Sequence, residues 1–246
     1  MRYLLTLEYD GTDYNGWQTQ NVGRSVQGAV EEAISKLSGE KVFLYSAGRT
    51  DAGVHAIEMP AHFDMAKKLT LGNITDGLNA YLREQKDSIS VLRARRAPDD
   101  FHARFSCKQR SYAYRILNRK TRPALYGNYC CHVWEKLDVR AMDEAAKTLL
   151  GTHDFSSFRA ANCYAKSPVK TIDEICVRRR GGFVELKISA KSFLYHQVRN
   201  IAGALIEVGT GHWGAEKFAE VLAARDRAKS APTAPARGLF FEKALY

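Results

Sequence analysis

Read from its N-terminus, the chain passes through strand and helix patterns in one order, strand-helix-strand-strand-helix-strand, and then repeats that order. Residues 3–9 read as a strand. Val26, Ala29, Val30, Ala33, Ile34 and Leu37 recur at helical spacing over 25–38, with Ser25 as N-cap and Gly39 as stop. Strands follow near 41–49 and 54–63, a helix at 70–83 and a strand at 88–96. The second round opens with a long strand, 105–117, and a helix over 138–150 that starts near Asp138 and is ended by Gly151. Strands at 170–179 and 182–190 meet at the turn Gly181-Gly182. Helices at 193–208 and 214–225 and a last strand at 239–245 complete it. This is the order of the split βαβ, ferredoxin-like unit. The pattern predicts an α+β fold: two ferredoxin-like subdomains joined into one wide, mostly antiparallel sheet, with helices on one face and a basic cleft on the other. The boundary is set at 104/105, giving subdomains 1–104 and 105–246. No Pro/Gly-rich linker marks it, and Ala231–Ala236 reads as a short loop before the last strand.

The chain has 246 residues, room for two domains of about 120 each. No apolar run reaches the ~20 residues of a membrane helix. Residues 1–10 meet acid too early for a signal peptide. The five cysteines, 107, 130, 131, 163 and 176, show no Cys-x-x-Cys or His/Cys spacing for a metal. Reduced thiols in a cytoplasmic protein are the simplest account.

Charge is unevenly spread. Residues 1–104 hold 13 basic and 14 acidic side chains, whereas 105–246 hold 24 basic and 13 acidic. Ten cations fall between Arg93 and Arg122, opposed only by Asp99 and Asp100 and interleaved with Phe101, Phe105, Tyr112 and Tyr114. Cations for phosphates alternating with flat faces for unpaired bases are the pattern of a nucleic-acid surface. The competing reading is a solvated basic strand whose aromatics face a core.

The segment Gly48-Arg49-Thr50-Asp51-Ala52-Gly53-Val54-His55 sets one carboxylate between glycines, with an arginine two residues before it. Glycines allow a sharp turn, a neighbouring cation favours the ionised acid, and an ionised Asp on a shaped turn suits a nucleophile or general base. Asp-Ala-Gly is also ordinary turn chemistry. The turn-rich segment Tyr9–Gln18 is either a loop anchored by Trp17 or an RNA contact. Arg24-Ser25-Val26-Gln27 opens a helix whose free N–H groups, with Arg24, suit a phosphate. His102 reads as a structural hydrogen-bonding residue that is also able to titrate. A Ser-His-Asp triad built from His153–Arg159 is not expected, because adjacent residues cannot point at each other in that way. Arg199 and Asn200 are the unusual members of an apolar helix, and a buried Arg demands an anionic partner, for which Asp51 is a candidate.

Tyr9-Asp10-Gly11 with Gly16-Trp17-Gln18, Arg24–Gln27, Gly48–His55, Asp99–Phe105, His153–Phe158 and Val198-Arg199-Asn200 together resemble the TruA family of tRNA pseudouridine synthases. The matching segments keep their order from Tyr9 to about Gly238-Leu239. One departure is Ala56–Phe63, where the family shows a Gly-Gln-Val-type segment; Pro60 there removes a ladder N–H and leaves local strand pairing open.

The resemblance implies isomerisation of uridine to pseudouridine in the tRNA anticodon arm, at positions 38 to 40, by a homodimer. It assigns covalent catalysis to Asp51 and stacking on the flipped base to Tyr112, whose phenol also helps remove the C5 proton. Arg49 and Arg199 supply cations near Asp51, and Arg24 contacts substrate. The reaction involves no redox change and calls for no cofactor or metal. Two other readings of the same residues remain: a non-catalytic RNA-binding module, and a nucleotide-directed hydrolase with Asp51 as general base, which wants a metal cluster or second carboxylate not evident in the sequence.

Overall fold

The computed structural model describes residues 1–163 and 165–246. Among them are ten strands and five α-helices: β1 (Arg2–Tyr9), α1 (Val26–Ser38), β2 (Tyr45–Ser46), β3 (His55–Asp64), α2 (Leu71–Glu84), β4 (Ile89–Arg96), β5 (Gln109–Asn118), β6 (Cys131–Val133), α3 (Val139–Lys147), β7 (Gly151–Asp154), β8 (Val169–Arg180), β9 (Phe183–Ala190), α4 (Gln197–Gly209), α5 (Ala215–Ala224) and β10 (Leu239–Leu245). The architecture is mixed α and β with mostly antiparallel pairing. The chain forms two compact units, Met1–Arg110 with Phe240–Tyr246, and Ser111–Leu239.

In the first unit the strand order is β4-β1-β3-β10, with β2 beside β3. β1 is central: it pairs antiparallel with β3 (Tyr3↔Phe63, Thr6↔Pro60) and with β4 (Leu5↔Ala94). Burial on both faces explains why Tyr3, Leu4 and Leu5 form a continuous apolar run instead of alternating. Each such side chain contributes roughly 1.5–3 kcal/mol on leaving water. α1 starts where Ser25 accepts from Gly28 N and stops where Gly39 turns to φ 79°. α2 is capped by Thr70, and its Asn79 side chain ties it to β4 by bonding both Val91 N (2.8 Å) and Val91 O (2.9 Å).

Pro60 lies inside β3 without breaking it. Its carbonyl accepts from Ala47 N (2.8 Å). N–H and C=O of a strand residue point the same way, so the missing donor faces the β2 side and the β1 ladder is untouched. The same geometry shortens β2, expected over 41–49 but confined to Tyr45–Ser46. On one side Pro60 offers no donor; on the other, Leu44 N is taken by the Glu31 carboxylate of α1 (2.8 Å).

The last strand does not belong with the second half, as the element count suggested. β10 runs parallel to β3 (Phe240↔His55, Phe241↔Ala56), and residues 240–246 fall in the first unit. The break near 104/105 also moves. Residues 102–106 form a turn in which His102 Nδ1 accepts from Arg104 N (3.1 Å) and Phe105 N (3.4 Å), so β5 begins only at Gln109.

In the second unit the order is β5-β9-β8-β7, with β6 parallel to β5. β8 and β9 form a hairpin whose turn uses Gly181 at φ 59°. β6 and β7 were not anticipated. β7 (Gly-Thr-His-Asp) has no apolar alternation; backbone pairing with β8 and the Thr152–Thr171 hydroxyl contact (2.7 Å) hold it. α4 begins at Gln197, four residues later than the pattern suggested. His196 takes φ 61°, and Leu194 N is satisfied by the Gln197 side chain (2.7 Å). All five cysteines are free thiols. Among the described residues, no helix is long and apolar enough to cross a membrane.

Candidate active site

Asp51 lies on the turn that leads into β3. Val54 N donates to Asp51 O (3.1 Å), and Gly53 takes φ 76°. A positive φ at the third of four residues marks a type II turn and calls for glycine. Asp51 is half-buried, Arg49 is exposed and Thr50 is buried. This short polar turn is held by the segment 9–17. Trp17 N donates to Thr50 O (3.0 Å) and Gly53 N to Tyr14 O (3.4 Å). Gly11 N donates to His55 Nδ1 (3.1 Å), and the Tyr9 hydroxyl lies 2.8 Å from Thr50 Oγ1. Two glycines allow this approach. A Cβ on Gly16 (φ 89°) would stand 2.6 Å from Thr50 O, and one on Gly11 would stand 2.0 Å from Val54 O. Trp17 is buried with its ring 6.1 Å from Tyr9. The Tyr9–Gln18 segment is therefore a loop anchored by Trp17, and the turn carrying Asp51 is what it braces.

Arg24 is part of the same support. Its Nε donates to Asp87 Oδ1 (2.5 Å) and its Nη2 to Asp87 Oδ2. The Asp87 carboxylate is almost wholly buried, and Tyr14 donates its hydroxyl to it (2.8 Å). Burial, then Asp87, pushes the Tyr14 phenol well up. The Arg24 side chain is 43% exposed, so one side of it faces solvent. The helix donors behind it are occupied: Val26 N bonds Gly16 O (3.2 Å), Gln27 N bonds Trp17 O (2.9 Å), and Gly28 N bonds Ser25 Oγ (3.1 Å). The expectation of free N–H groups there does not hold, because the 9–17 loop folds back onto the helix start.

In the second unit, Tyr112 on β5 is buried at 9% exposure, with its ring edge-on to Phe193 (5.1 Å). Arg199, in the first turn of α4, is half-buried and donates Nε–H to Ala234 O (2.9 Å). Asn200 is fully buried and structural. Its Nδ2 donates to Phe158 O (2.9 Å), and its Oδ1 accepts from Thr233 (2.6 Å). Asp51, Arg49 and Arg24 thus lie in the first unit, and Tyr112 and Arg199 in the second.

The basic run keeps its cations in solvent but not its aromatics. Eight of the ten cations between Arg93 and Arg122 are exposed; Arg110 and Arg115 are half-buried. Tyr114 is core, its hydroxyl on Pro235 O (2.8 Å) and its phenol pushed far up by burial. Phe101 packs on Tyr246. Only Phe105 stands out, 75% exposed, with the Arg104 guanidinium 5.6 Å over its ring. The interleaving therefore reflects a strand buried on both faces more than a stacking surface. Arg119 and Lys120 do line an open cleft of about 1140 Å³, together with Trp134, Lys136, Arg179 and Trp213. Trp134 is 65% exposed there, and no motif in the sequence marked it.

His102 proves structural, as its backbone contacts show, and burial lowers its pKa. Next to it, burial and the His102 charge hold His62 to about 4. Asp154 caps Ser156 N (2.9 Å), and His153 Nε2 pairs with Leu150 O (2.8 Å), so neither belongs to a triad. Among the described residues, no group of three His, Cys, Asp or Glu side chains is gathered to hold a metal.

This constellation has relatives. A family model described as tRNA pseudouridine synthase matches residues 6–106 and 145–246. The chain belongs to the TruA family of tRNA pseudouridine synthases, and it is an isomerase. The protein named tRNA pseudouridine synthase A in Rhodospirillum centenum is 51% identical over 245 residues, covering 100% of this chain and 99% of that one. That of Brucella ovis is 50% identical over 239 residues, covering 97% and 95%.

Proposed function

We propose that the chain converts uridine to pseudouridine at positions 38 to 40 of the tRNA anticodon arm, as a cytoplasmic homodimer, with Asp51 as the covalent catalyst. The observation that carries this is the half-buried Asp51 carboxylate, set on a braced type II turn beside the exposed Arg49. The reaction breaks the N1–C1′ bond, turns the uracil, and forms a C5–C1′ bond. C5 loses a proton and N1 gains one, so the product is an isomer and no electron carrier enters the balance.

Asp51 acts at the sugar, either by attack on C1′ or by promoting elimination to a glycal. Tyr112 stacks on the flipped uracil and its phenol assists removal of the C5 proton. Arg49 and Arg199 stabilise negative charge as the glycosidic bond breaks. Arg24, through its solvent-facing side, and the exposed cations of 93–122 meet phosphates. Five free thiols support a reducing compartment.

The test is tritium release from tRNA labelled at uracil C5. The wild type is expected to release it. Asp51→Asn is expected to bind tRNA normally and lose release by at least about a thousandfold. Undiminished release by Asp51→Asn overturns the assignment. Binding without release by the wild type points instead to a non-catalytic RNA-binding module.

A further inference from the structure

Uridine chemistry on Asp51 alone gives no role to the hydroxyl pair beside it. Tyr9 is 3% exposed and Thr50 8%, yet their hydroxyl oxygens lie 2.8 Å apart. Thr50 is the peptide neighbour of Asp51. Its carbonyl accepts from Trp17 N (3.0 Å), so it is held by side chain and main chain together. A β-branched residue has few χ1 choices, and a hydrogen bond at Oγ1 selects one of them. With Oγ1 and O both fixed, the peptide plane joining Thr50 to Asp51 has little freedom left. Gly16 closes the remaining side: a Cβ there would stand 3.0 Å from the Asp51 carbonyl carbon. The bracing segment is itself anchored, since the Tyr14 hydroxyl donates to Asp87 (2.8 Å) and accepts from Ser88 N (3.1 Å).

The geometry points to Tyr9 as a positioning residue for the reaction: through its hydrogen bond to Thr50 it fixes the main chain of Asp51 and so aims the carboxylate. Attack or proton abstraction tolerates misplacement of only about half an ångström before rate is lost. A turn of small polar residues has no core of its own to supply that precision. A buried aromatic hydroxyl at the end of β1 supplies it from the sheet. The inference rests on the reading of Asp51 as catalyst.

The experiment measures kcat and KM for tritium release from C5-labelled tRNA, with the melting temperature of each variant. Tyr9→Phe and Thr50→Val, which delete one hydroxyl each, are expected to lower kcat about tenfold. KM for tRNA stays within about twofold of wild type. The double variant is expected to be no slower than either single one, because one shared contact is lost. Thr50→Ser keeps the hydroxyl and is expected to recover most of the rate lost in Thr50→Val. A kcat for Tyr9→Phe equal to wild type, or losses that multiply in the double variant, overturns the inference. So does a change confined to melting temperature or KM. If Tyr9→Phe does not fold, the Val-against-Ser comparison at Thr50 decides alone. Asp51→Asn run in parallel separates the two claims. Full activity there removes the catalyst assignment, whereas an inactive Asp51→Asn beside a fully active Tyr9→Phe removes only the positioning role.

Discussion

The turn carrying Asp51 and the basic run from Arg93 to Arg122, the two regions the proposed function draws on, are built by opposite means. The turn holds one carboxylate and surrounds it with short-range constraint: two close-packed glycines, four hydrogen bonds with one segment, and a buried Asp87 behind them. The run holds ten cations and leaves eight in solvent. Covalent chemistry depends on the placement of a single atom, so its residue is immobilised. Attraction to a polyanion sums over many charges and tolerates loose side chains. Under the proposed function, constraint is thus concentrated where geometry sets the rate, and solvent exposure is left where only charge density counts.

The strongest way to break this contrast is Gly11→Ala. The added Cβ meets the Val54 carbonyl oxygen 2.0 Å away, a backbone atom that cannot swing aside as a side-chain end can. We expect a loss of at least about 3 kcal/mol in denaturant unfolding, with activity falling in step. A stable, active Gly11→Ala variant would show that the turn is not rigid. Tyr112→Phe is expected to act less on the fold and more on the rate. Its ring keeps the Phe193 contact while the phenol is lost. Turnover should fall about 100-fold with tRNA affinity nearly unchanged; equal rates would take the phenol out of the mechanism. The smallest effects should come from the run. Arg95→Gln or Arg119→Gln is each expected to weaken tRNA binding a few-fold and to flatten the log K against log salt slope by about 0.7–1. A salt response already flat in the wild type would mean that the run does not meet phosphate.

Local patterns were read well where a rule is local. Ser25 and Gly39 bound α1 as the cap signals indicate, and the Gly181-Gly182 hairpin falls where the dipeptide placed it. The errors lie where distant residues decide. β2 shrinks because Glu31 and Pro60 compete for or withhold its partners. Tyr114 read as one of the flat faces interleaved with the cations but is core, since a central strand buries both faces. The turn carrying Asp51 was legible from its glycines. The contact of Tyr9 with Thr50 was not. Tyr9-Asp10-Gly11 and Gly16-Trp17 are turn-like in any context, and only the fold brings them onto residues 50–55. The pairing of Arg24 was hidden in the same way: its partner, Asp87, is 63 residues away.

The parallel pairing of β10 with β3 has a consequence for the order of synthesis. His55, one turn beyond Asp51, has its ring stacked 4.7 Å from that of Phe240. On the ribosome, the stretch that ends in the Asp51 turn emerges early, but the strand that flanks it is made only after the whole second unit. The first unit must therefore wait with one sheet edge uncovered, an edge that other nascent strands can capture. A chain released before Phe240 would keep every residue assigned to the chemistry and still lack the strand beside them. The setting of the Asp51 turn thus depends on a strand that the chain supplies only after the second unit.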